Sequence, residues 1–73
     1  MARVLHLLKG DDVLARTVIE QQRHAGDDVT VAILPGAPDV ELPAGVEVSR
    51  VPADLTWEAL LERIFEADQV ITW

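Results

Sequence analysis

Cysteine is absent from the 73-residue chain, which excludes a disulfide scaffold and any thiol or persulfide chemistry by this protein itself. Basic residues are scarce, 6 Lys and Arg against 13 Asp and Glu, giving a net charge of −7. That balance argues against general affinity for phosphate backbones or anionic membrane surfaces, which need clustered cations. No apolar run approaches the roughly 20 residues of a membrane span, and MARVLHLLKGDD carries a charge too early and too many acids late for a signal peptide, so a cytoplasmic protein is expected. The only serine, Ser49, lies in a strand-like segment, which leaves no Ser/His/Asp set. Two histidines on separate segments do not suggest a metal site, and no cofactor is indicated.

What is present alternates between two periods. Ala2 to Leu8 is a nearly continuous apolar run, as expected of a strand covered on both faces. Gly10 ends it, and Asp11 and Asp12 stand where a helix start favours negative charge. From Val13 to about His24 the pattern is helical, with Leu14, Val18 and Ala25 spaced on one side and Ala25-Gly26 as the stop. Val29 to Leu34 reads as a second buried strand. Pro35 to Gly45 follows, with three prolines, two glycines and no helical period, just long enough to connect parallel strands.

Val46 to Val51 reads as a third strand, its polar Glu47, Ser49 and Arg50 pointing to a less buried face. Trp57, Leu60, Leu61, Ile64 and Phe65 fall at i, i+3, i+4, i+7 and i+8, the clearest helical stripe in the chain, with Thr56 or Asp54 as cap. Gln69 to Trp73 is a closing strand. The order β-α-β-loop-β-α-β predicts one α/β domain over residues 1–73, a small open and mainly parallel four-stranded sheet. The expected strand order is 2-1-3-4, with helices on both faces, a flavodoxin- or Rossmann-like arrangement.

In such a sheet ligands bind beyond the carboxyl ends of the strands, at the switch point. The candidate ligand-binding residues are therefore Lys9, Gly10, Asp11 and Asp12 after the first strand, Pro35 and Gly36 after the second, and Arg50 and Asp54 at the end of the third. Asp11, Asp12 and Asp54 in a receiver-like magnesium site are outweighed by helix capping and solvation, and a single glycine in KGDD is far from a phosphate loop. His6, inside an apolar strand, reads as a hydrogen-bonded core histidine, and His24 as a helix-end residue. Trp57, Phe65 and Trp73 read as core or interface residues rather than a ligand platform. A chain this short builds a marginal core, so partner subunits are the expected source of further stability.

Four segments carry a family resemblance. VLHLLKGDD, with its Leu5-His6 pair, GDDVTVAILPGA, VEVSRVPADL and the terminal ADQVITW with its late Trp73 resemble the small α/β proteins of the DsrE/DsrF/DsrH superfamily of bacterial sulfur relay. The DsrH (TusB) branch is the most similar. The resemblance implies an oligomer, either of this chain or with a DsrE-like subunit. In the DsrE branch a cysteine near the end of the third strand or in the loop after it carries a persulfide, and this chain has Arg50, Val51 and Pro52 in that region. The implied role is a non-catalytic accessory in sulfur transfer. Two alternatives stand beside it: a module of the same fold that binds a small anion or nucleotide, and the N-terminal piece of a Rossmann-type transferase, since VLHLLKG also resembles how some glycosyltransferases begin.

Overall fold

The computed structural model describes residues 2–10, 12–37 and 41–73. Arg3–Leu8 (β1) runs into Val13–His24 (α1), Asp28–Ile33 (β2), Glu47–Arg50 (β3), Trp57–Glu66 (α2) and Gln69–Thr72 (β4). All strands are parallel, in one four-stranded sheet. The expected α/β architecture holds, and each element lies within a residue or two of its expected span.

The strand order is different from the one expected: it is β3-β2-β1-β4, not 2-1-3-4. Composition explains why. An order of 2-1-3-4 would bury β3 inside the sheet and put β2 at an edge. β3 carries Glu47, Ser49 and Arg50 and is exposed or half-exposed throughout, whereas Val29, Val31, Ala32 and Ile33 of β2 are buried. Charged residues belong on an edge strand, and a run apolar on both faces belongs inside the sheet.

The two helices cover opposite faces, as the alternation of side chains along the strands requires. On one face Ala15 and Ile19 of α1 pack on Leu8, Val29, Val31 and Ile33. On the other, Leu60 of α2 packs with Leu5, Ala32 and Val51. The stripe expected on α1 is displaced by one residue: Leu14 is largely exposed, and Ala15 and Ile19 at the next helical positions are buried. On α2 the expected stripe divides, because Leu60 is buried and Ile64 half-buried while Trp57, Leu61 and Phe65 stay exposed.

Local chemistry fixes the element ends. The Asp12 carboxylate accepts from the backbone N–H groups of Leu14 and Ala15 at 2.9 and 3.2 Å, capping α1. At the other end Gly26, at φ +88°, lets the N–H of Asp27 reach Gln22 O and its own N–H reach Arg23 O, a Schellman stop. Thr56 caps α2 by accepting from Ala59 N–H at 3.1 Å. Asp27 and Asp68 bind the amino end of β1 from both sides, accepting from Ala2 N–H at 3.2 Å and from Arg3 N–H at 2.8 Å. No helix among the described residues is long and apolar enough to cross a membrane.

Candidate functional site

The parallel sheet aligns the carboxyl ends of all four strands along one edge, where sequence reasoning placed the ligand-binding residues. With order 3-2-1-4 the reversal of direction falls between β1 and β4, not between β1 and β3. Lys9 and Gly10 therefore flank the switch point with Trp73, which follows β4 and donates its backbone N–H to Leu7 O at 3.0 Å. Pro35 and Gly36 turn away after β2, with Gly36 at φ +87°. Arg50 and Asp54 end the outermost strand, two strands from β1. Asp11 lies outside the described residues.

Two of these carboxylates are spent on the backbone. Asp12 caps α1, and Asp54 closes the loop after β3: its side chain accepts from Arg50 N–H at 3.1 Å, while its own N–H donates to Arg50 O at 2.8 Å. The same loop contains a cis Val51-Pro52 peptide. Among the described residues no group of three or more His, Asp or Glu is placed to hold a metal ion.

Of the three aromatic residues, Trp57 and Phe65 are exposed on α2, and Trp73 is half-buried against His6. The Trp73 and His6 rings lie edge to edge and nearly parallel, with centroids 6.1 Å apart and planes inclined by 14°. The Trp73 indole N–H donates to His6 Nδ1 at 2.9 Å. An indole nitrogen can only donate, so Nδ1 is the bare nitrogen of the ring and Nε2 carries the proton. That proton is donated to Gln22 Oε1 on α1 at 2.6 Å. His6 is fully buried. Desolvation lowers its pKa below the ordinary value of 6.5 and outweighs the Gln22 bond, which acts in the opposite direction. The result is a neutral imidazole joining β1, α1 and the end of β4 through two hydrogen bonds.

Sequence reasoning read His6 as a bonded core histidine and Trp73 as a core or interface residue; their contact was not foreseen. Only the partner strand was missing, because a sequence separation of 67 leaves no local periodicity to read. A second feature also escaped the sequence. At the amino end of the strands, beneath α2, a cavity of about 250 Å³ is lined by Arg3, Asp28, Thr30, Glu47, Arg63 and Glu66 among others. Its charges are mixed in sign, and Arg63 pairs with Glu47 at 3.6 Å. The residues open strands or sit late in α2, positions that carry no motif.

No protein-family model, curated protein or solved structure matches this chain.

Proposed function

We propose that this chain is a non-catalytic, cytoplasmic assembly subunit of DsrE/DsrH type, an accessory to sulfur transfer whose thiol is supplied by a partner. The observation that carries the reading is the contact between His6 and Trp73. These residues belong to two of the segments on which the family resemblance rests, the Leu5-His6 pair of the opening strand and the late tryptophan of the closing one. They meet across the β1–β4 pair, ring edge to ring edge and hydrogen-bonded. Two short motifs that find each other across the sheet support a common fold better than either does alone. Since the chain has no cysteine, any persulfide in the pathway is carried elsewhere.

The test is affinity purification of the tagged chain from its own cytoplasm, with identification of what co-elutes. Recovery of a cysteine-bearing DsrE-like or TusA-like protein, in a fixed ratio by light scattering, is the expected result. A chain that elutes free of any such protein refutes the accessory role.

A second reading is favoured by the strand order. The order 3-2-1-4 is shared with the first four strands of a dinucleotide-binding sheet, with Lys9, Gly10 and Trp73 at its switch point. A ligand-binding module, or the opening part of a Rossmann-type transferase, would raise its melting midpoint in the presence of a specific nucleotide or anion by mass action. An accessory subunit would not respond to such a panel.

A further inference from the structure

The two edges of the sheet differ in kind. β3 carries Glu47 and Arg50, the charges by which edge strands discourage pairing. β4 is Gln69-Val70-Ile71-Thr72, with no charge and no proline, and among the described residues it pairs with β1 alone. Above it the face of the sheet is apolar as well. Arg63 on one flank of α2 reaches Glu47 of β3, so the opposite flank, with Trp57, Leu61 and Phe65 at i, i+4 and i+8, is turned towards the β4 side of the sheet. Trp57 is 55% exposed, Leu61 54%, Phe65 80% and Val70, on the same face, 37%.

We propose that the β4 edge and this flank of α2 form a two-fold interface with a second copy of the chain, β4 pairing antiparallel with its counterpart to make one eight-stranded sheet. The pattern is self-complementary, as an isologous contact requires. A dyad passing beside Leu61 brings Trp57 of one copy to Phe65 of the other and Leu61 to Leu61. On the strand, a dyad at Val70 sets Gln69 against Ile71, so no two charges meet. The area also fits. The four exposed side chains leave on the order of 400 Å² of apolar surface, about the apolar half of a standard face of ~800 Å².

The spacing accounts for the size of the side chains. α2 packs on β1, one strand in from β4. With strands ~4.8 Å apart the two α2 axes stand about 14 Å from each other across the dyad, beyond the 8–10 Å of direct helix contact. An aromatic ring from each copy fills that gap; alanine-sized residues would leave it open. Glu58 and Glu62 lie further round the helix towards solvent, and with −7 on each copy they make the pairing tighter in higher salt.

This inference deepens the assembly reading above and rests on it only for the expectation that the chain associates. The experiment is sedimentation equilibrium of the full chain from about 1 to 100 µM, alone and as Phe65→Glu, Val70→Lys and Val48→Lys. Circular dichroism confirms that each variant is folded. The expected result is a species of twice 8.0 kDa in the wild type and in Val48→Lys, whose substitution is on the opposite edge. Phe65→Glu and Val70→Lys should weaken association by about thirtyfold or more. A wild-type monomer throughout, or a dimer indifferent to both substitutions, overturns the interface. A monomer that still binds a cysteine-bearing partner, and loses it in Val70→Lys, overturns self-pairing while leaving the accessory role intact.

Discussion

Replacing Trp73 by phenylalanine tests the buried His6 network most directly. The substitution keeps an aromatic ring against the imidazole and removes one proton, the indole N–H that His6 Nδ1 accepts at 2.9 Å. That acceptor belongs to a residue with no solvent exposure, so it is left without a donor, at a cost of about 1–3 kcal/mol. In a domain of this size each kcal/mol moves the melting midpoint by about 4–8 °C, so a fall of at least about 5 °C is expected. His6→Leu removes both hydrogen bonds but leaves their other halves, the Trp73 indole and the Gln22 amide, half-buried and within reach of water. It should cost less than Trp73→Phe, and Trp73→Phe should cost little more once His6 is leucine. Melts of the two single variants and the double variant settle the matter: additive losses, or a His6→Leu loss larger than that of Trp73→Phe, refute the network.

Asp12→Ala deletes the α1 cap and should cost about 0.5–2 kcal/mol, while Asp12→Ser retains most of it; denaturant midpoints of the two variants are the check. Ile19→Ala, in the centre of the α1 core, should cost about 2–5 kcal/mol, whereas Leu14→Ala, earlier on the helix and solvent-exposed, should cost almost nothing, which urea titration distinguishes. Arg63→Ala breaks an ion pair whose partners are both substantially exposed, and should shift the melting midpoint by no more than a few degrees.

Much of this fold was legible because it is local. Both helices, all four strands and the two-faced core follow from periodicity and from breakers such as Gly26, whose positive φ only glycine adopts freely. The strand order was misjudged although its determinant stood in the sequence: Glu47, Ser49 and Arg50 mark β3 as an edge, and an edge strand does not sit between β1 and β4. The face chosen by α1 was off by one residue, because Leu14 and Ala15 are both apolar and only packing decides between them. Asp12 and Asp54 illustrate a general ambiguity. A carboxylate after a strand reads equally as ligand or as cap, and only the hydrogen bonds it makes to backbone N–H groups resolve it as structural here.

His6 and the β4 edge are physically linked, which gives acid a predictable effect on assembly. Around the imidazole stand Val4 and Leu8 on its own strand, Val31 and Ile71 across the sheet, Gln22 from α1 and Trp73 from β4, none of them charged. Arg23, next to Gln22, lies against Gly45 instead. A second proton on the ring must go to Nδ1, where it displaces the indole N–H and releases Trp73, the residue that ends β4. Because burial lowers the pKa, the neutral ring favours the fold: its contribution is complete above pH 6.5 and declines as pH falls towards the lowered value, by at most about 1.4 kcal/mol per pH unit. Loosening β4 dissolves the edge that the second copy needs. General electrostatics predicts the reverse, since approach to the pI near 4.5 reduces repulsion between copies and should tighten a dimer. The two effects therefore separate by sign: as pH falls from 7.5 through the lowered His6 value the wild-type dimer should weaken relative to His6→Leu, in which only the electrostatic trend survives. Parallel pH profiles for the two proteins in sedimentation would show that the imidazole has no hold on the edge strand.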